Sequence, residues 1–187
     1  MARYINLTTL LGMILMAAIL FVVPDKACAA SAAELNRKVD TALSTLFAKS
    51  ESARVLSERA KGILVFPGIV KAGFIVGGQY GEGALRENGK TVGYYSSVAA
   101  SYGLQVGIQK FGYALFFMSD SALKWLDRSD GWELGTGPSI VVVDIGAAGS
   151  ISTTTAQSNI YAFFFNQKGL MAGIGLQGTK ISRISKY

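Results

Sequence analysis

Apolar and polar positions change texture three times along this chain. Ile5 to Val23 is apolar and uncharged, follows a single Arg3 and stops at Pro24. From Ser31 the apolar residues Leu35, Val39, Ala42, Leu43, Leu46 and Phe47 recur at three- and four-residue steps, with Arg37, Lys38, Asp40 and Lys49 elsewhere on the helical wheel. Ser31-Ala-Ala-Glu34 precedes them with the spacing of a capping box. A second short helix is predicted from about Ser52 to Lys61, ending at Gly62. Such a basic amphipathic helix either lies on a membrane or packs on its own domain.

From Ile63 the pattern becomes that of strands. "ILVF" is closed by the turn pair Pro67-Gly68, and "KAGFIVGGQYGEGALRE" alternates loosely. Asn88-Gly89 is the strongest hairpin signal in the chain, since both residues tolerate a type I′ turn. "SYGLQVGIQ" and "YALFFMS" read as two further strands, and Ser119-Asp120 caps a short helix over 121–128. "SIVVVDIGAAG" and "NIYAFFFNQKGLMAGIGLQGTKISRI" supply the rest, with Asn166 to Gly169 turning a final hairpin. These elements imply a mainly β fold with some α (α+β). It is a curved, glycine-rich antiparallel sheet or barrel-like sandwich, with N-terminal helices and one short internal helix.

The glycines sharpen that expectation. A Walker loop requires Gly-Lys-Ser/Thr opening a helix, and a dinucleotide fingerprint requires a helix after its glycines. "GGQYGEG" has strand character on both sides. Gly73, Gly77, Gly81 and Gly83 instead recur at even spacing, which in a strand puts them on one face. A bare face admits another backbone or an aromatic ring and permits strong coiling of the sheet.

Charge and cysteine bear on where the protein works. The N-terminal pattern (basic start, apolar middle, Ala27-Cys28-Ala29 exit) describes a secretory signal peptide over 1–29. An uncleaved anchor is the competing reading, because the apolar stretch is just long enough to span a bilayer. Asp25 and Lys26 before Cys28 do not suit a lipoprotein signal. The domain then occupies 30–187, helical over 30–61 and mostly β over 62–187. Removing 1–29 takes Arg3, Lys26 and Asp25 from 18 basic and 12 acidic residues, leaving 16 and 11, a net charge of +5. The expected location is the periplasm or cell envelope. There a basic protein meets anionic surfaces, with membrane favoured over nucleic acid.

Candidate chemistry is sparse. The chain has no histidine, and its one cysteine leaves with the signal. Asp144 within "VVVDIG" and Glu82 in the glycine stretch are the carboxylates least explained by turns or solvated helices. No residue is assigned a catalytic or metal role, and no cofactor is implied. A hydrolase using serine and aspartate is a distant alternative.

"AKGILVFPGIVKAGFIVGGQYGEGAL", "YGLQVGIQ" and "NQKGLMAGIGLQGTKI" together resemble the SYLF domain family. Lys61-Gly62, Phe66-Pro67, Lys71-Ala72-Gly73, Gly77-Gly78, Lys168-Gly169-Leu170, Ala172-Gly173 and Leu176 to Gly178 carry the likeness in order, across about Ala60 to Ile184. "TTTAQSNIYAFFFNQKGLMAG" is most similar to its bacterial, exported branch. The resemblance implies a non-catalytic domain that binds phospholipid head groups and, in eukaryotic relatives, actin filaments. Gln177 stands where eukaryotic members carry an acid, and no Gly-Arg pair follows Pro138. Both departures argue against phosphoinositide preference and actin as a partner. The expected function is peripheral binding of anionic phospholipids. The alternative is an envelope interaction module that docks a protein partner, with incidental lipid binding. Lys61, Lys71, Lys168, Lys180 and Arg183 lie in or beside the matching segments and are the candidate lipid-binding residues. They either converge on one face, beside the Arg37/Lys38 helix, or are dispersed solubilising charges.

Overall fold

The computed structural model describes residues 31–128, 130–143, 158–168, 176 and 178–186, without the side chains of 74–76 and 101–106. The leader, its cleavage site and Asp144 lie outside the described residues. Ser31 to Tyr187 make one compact unit.

Helix α1 (Ala32–Lys49) starts where the serine predicts, with the Ser31 hydroxyl accepting from the Glu34 amide at 3.2 Å. The reciprocal half of the capping box is replaced by an ion pair, since the Glu34 carboxylate takes Lys38 one turn on at 2.6 Å. Its apolar stripe is buried at Leu35, Val39, Ala42 and Leu46, and the helix packs on its own domain. Helix α2 (Glu51–Ser57) is shorter than the spacing predicts; its Ser50 cap accepts from the Ala53 amide.

Two strands dominate everything that follows. β1 (Gly62–Glu87) has 26 residues and β2 (Lys90–Phe117) has 28. They pair antiparallel along their whole length around the Asn88-Gly89 turn, both of whose residues have positive φ. The predicted stop at Pro67-Gly68 is therefore a correction: the strand runs on through a register shift between Phe66 and Ile69. A proline has no amide to donate, so it is tolerated at an irregularity in a strand paired on one side only. Likewise, "KTVGYY", "SYGLQVGIQ" and "YALFFMS" are parts of a single strand.

A straight strand of that length would run about 85 Å, and this hairpin does not. Tyr113 and Ser97 are sixteen residues apart on β2, yet the buried Tyr113 hydroxyl donates to Ser97 Oγ at 2.8 Å. The hairpin is folded over on itself into two leaves, with the Asn88-Gly89 turn brought back beside Gly62. Glycine makes the fold-over possible. A side chain at Gly81 would lie 2.7 Å from the Gly68 carbonyl and 3.2 Å from Ile69 Cα. One at Gly83 would strike the Val65 carbonyl and sit 2.7 Å from the Phe66 ring. At Gly81 and Gly83, the bare face predicted from even spacing is thus the face on which β1 crosses itself. An aromatic ring fills the same role at Gly112, where the Phe165 ring occupies the space of a Cβ.

The remaining elements dress this hairpin. A short turn of α-helix, α3 (Asp120–Leu123), continues as a 3-10 turn (Lys124–Asp127), capped by Ser119 as the sequence predicts. β3 (Trp132–Glu133), β4 (Ile140–Val143), β5 (Ile160–Lys168) and β6 (Lys180–Ile184) complete a sheet of order β3-β6-β2-β5-β4, with β1 on the other edge of β2. Two expectations are corrected here. β5 runs on through Asn166 to Lys168, where a turn is expected, and β5 and β6 take different stretches of β2, residues 110–117 and 94–98. Residues 169–175, where the second arm of that hairpin would begin, lie outside the described residues. The sheet is also not wholly antiparallel, since β4 runs parallel to β5. Between the leaves lies the apolar core: Leu64, Phe66, Ile69, Leu85, Tyr95, Phe111, Leu115, Phe117, Trp132 and Ile160 among others.

Candidate functional site

The folded hairpin has two ends. At the turn end, Asn36 of α1 donates to the Tyr94 hydroxyl at 3.0 Å and accepts from the Thr91 hydroxyl at 2.8 Å, while Arg86 reaches Asp40 at 2.5 Å. Most polar groups here pair with one another and fix the helix to the sheet, while the buried Arg86 Nε has no partner among the described residues.

The opposite end is where β1 and β2 bend over. Strand register decides which way each side chain faces. Ile69, Phe111 and Tyr113 point into the core, so their neighbours Val70 and Lys110 point outward, and these two are partners across β1 and β2. Lys110 in turn stands opposite Lys168 of β5. The next outward pair is Ala72 with Ile108. This outer face therefore presents Val70 (45% exposed), Ile108 (63% exposed) and Ala72 beside two exposed lysines. Like charges directly opposite each other on a sheet are destabilising. Among the described residues, no carboxylate pairs with either ammonium.

The five cations picked out from the sequence separate in space. Lys168 lies on this face. Lys180 is exposed on β6, on the outer side of the other leaf, opposite Val98. Lys71 is one step from Val70 and so faces inward beside Gln109; both are buried, at 8% and 4% exposure. Lys61 binds its amide to the Phe117 carbonyl at the far end of β1, and Arg183 donates to the Val92 carbonyl near the turn. Lys61 and Arg183 thus belong to the turn end, as do Arg37 and Lys38 next to Asn36. Sequence reasoning missed Lys110 because it placed a break between "SYGLQVGIQ" and "YALFFMS", which turned a mid-strand lysine into a loop residue. Continuous alternation across that break was the available signal.

The other leaf shows a related surface. Tyr80 (52% exposed) and Val98 (46% exposed) are partners on its outer face, in line with Lys180. Tyr80 donates to Glu82 at 2.9 Å, and Glu82 accepts Lys186 at 2.5 Å. Partial burial, and then the Glu82 carboxylate, push the Tyr80 hydroxyl above its usual range. Glu82 is held in this arrangement as a structural ion pair. Inside, Gln79 donates to the buried Thr179 hydroxyl at 3.2 Å. Burial also raises Tyr113, which keeps its proton for Ser97. Among the described residues no group of three or more histidine, cysteine, aspartate or glutamate side chains could hold a metal, and no helix is long and apolar enough to cross a membrane.

No curated protein matches the chain. A family model does match, over residues 98–186, from the middle of β2 through β6. That family comprises lipid-binding or actin-regulatory domains, which bind rather than catalyse. Residues 98–186 accordingly match the Ysc84 family, described as Las17-binding protein actin regulator, which is the SYLF family that the chain's motifs resemble.

Proposed function

We propose that this protein binds anionic phospholipid surfaces at the bend of its folded hairpin, and that it does so in the cell envelope after removal of residues 1–29. The observation that carries the reading is the outward lysine pair, Lys110 opposite Lys168, set beside exposed Ile108 and Val70. Two cations held together with no acid partner among the described residues provide a site for phosphate. Exposed aliphatic side chains next to them have a use at a lipid surface that they lack in water. Each basic residue near an anionic leaflet contributes about 1 kcal/mol, so the Lys110/Lys168 pair gives useful affinity when combined with apolar contact. The net charge of +5 left after 1–29 adds long-range attraction. The leader pattern supports the envelope location.

Co-sedimentation with vesicles tests the reading. Binding is expected to mixed phosphatidylcholine/phosphatidylglycerol vesicles, not to phosphatidylcholine alone. It is expected to weaken as salt rises to about 1 M, where the screening length falls to ~3 Å. Binding indifferent to head-group charge and salt would instead favour a protein-docking module, in keeping with the family's description as Las17-binding.

A further inference from the structure

The fold-over places matching surfaces at matching heights. Gly83 lies over Val65 and Phe66, and Gly81 lies over Gly68 and Ile69. One further step along each leaf brings Tyr80 level with Val70, on opposite outer faces. On β2, Tyr113 meets Ser97, so Val98 comes level with Gly112, two residues from Lys110. The row Val70–Lys110–Lys168 on one leaf and the row Tyr80–Val98–Lys180 on the other therefore encircle the molecule at about one level.

Beyond that level, among the described residues, lies the bend, residues 71–79 and 99–109. Those twenty residues contain a single charged side chain, Lys71, and it is turned inward. Their sequence is otherwise alanine, glycine, aliphatic and aromatic residues with one serine and three glutamines. An uncharged tip below a ring of outward lysines and a tyrosine is the profile of a segment seated in a bilayer interface. Tyrosine favours the head-group level, and lysine stems lie along apolar surface while their ammonium groups reach phosphate.

We propose that the bend inserts into one leaflet as a two-leaved wedge, with Lys110, Lys168 and Lys180 as a collar at the lipid phosphates. This rests on the lipid-binding reading above and adds a mode of binding to it. Depth is limited by the backbone. Among the described residues, β5 and β6 do not extend into the bend, and no strand pairs with the outer edges of β1 and β2 there. Unpaired amides are costly in hydrocarbon. The tip therefore stops near the boundary between head groups and acyl chains, about 5–10 Å deep, as interfacial segments do.

Spin labels separate insertion from surface docking. Single labels are attached at Ile108→Cys on one leaf, Ala100→Cys on the other and Val92→Cys at the turn end, each in the processed chain 30–187, a compact unit with no other cysteine. Co-sedimentation and collisional accessibility are read on the same phosphatidylcholine/phosphatidylglycerol vesicles. On vesicles, labels at 108 and 100 are both expected to lose access to a water-soluble nickel relaxant and gain access to oxygen. The label at 92 is expected to remain open to nickel. Protein that co-sediments while 108 and 100 stay open to nickel overturns insertion and leaves lipid binding standing. A change at 108 without one at 100 overturns the two-leaved wedge in favour of docking by one face. Failure to co-sediment at all removes the wedge together with the reading beneath it.

Discussion

The two ends of the folded hairpin are built from the same two strands and differ in how their polar groups are answered. At the turn end, Arg86 has Asp40, Asn36 has Thr91 and Tyr94, and Arg183 has a backbone carbonyl. At the bend end, Lys110 faces another lysine, and Ile108 and Val70 stand exposed. Internally satisfied polar groups hold a structure together and leave little to offer a ligand. Unanswered charge beside apolar surface costs some stability in the free protein and is recovered on binding. The division of labour is therefore between an end that anchors helix α1 and an end that meets a surface.

Because both ends exist only if the hairpin folds over, the largest effect is expected where β1 crosses itself. Gly83→Val would force two methyl groups against the Val65 carbonyl and the Phe66 ring. Overpacking against backbone costs about 3 kcal/mol or more, so urea unfolding should show a large loss of stability or no folded protein. A smaller effect is expected from Tyr113→Phe, which leaves the buried Ser97 hydroxyl without its partner between the leaves. The loss should be about 1–2 kcal/mol in the same measurement. Smaller still is Asn36→Ala, which removes the helix-to-turn hydrogen bonds for about 1 kcal/mol and should leave vesicle binding unchanged. A loss of lipid binding in that variant would merge the two ends functionally and break the contrast between them.

Much of this architecture is legible in the sequence, and the illegible part has a physical cause. The Ser31, Ser50 and Ser119 caps, the buried stripe of α1 and the Asn88-Gly89 turn are local features, set by residues within one or two turns of each other. Even spacing at Gly81 and Gly83 correctly marks a face that admits another backbone. Spacing does not say which backbone, because the partner at Val65 to Ile69 is chosen by the fold-over. The same long-range event explains why Lys61, Lys71 and Lys168, all in family-like segments, end at the turn end, in the interior and on the outer face respectively. Whether a strand lysine faces in or out depends on register, and a one-residue shift reverses it. Pro67-Gly68 and Asn166 introduce such irregularities, the latter with φ of 55° inside β5. Sequence could name the lysines; only pairing across β1, β2 and β5 sorts them.

A matched pair of charge reversals measures the contrast most directly. Lys110→Glu/Lys168→Glu alters the bend end, and Lys61→Glu/Arg183→Glu alters the turn end by the same total charge. All four side chains are exposed, so both variants should fold with nearly unchanged stability. Binding to phosphatidylglycerol-containing vesicles at low salt is then compared by co-sedimentation. With about 1 kcal/mol per lysine at the surface, the bend-end variant should lose affinity by roughly 30-fold or more, while the turn-end variant should stay within a few-fold of the parent. Equal losses in the two variants would mean that net charge alone drives the attraction, and would contradict a lipid site at the bend.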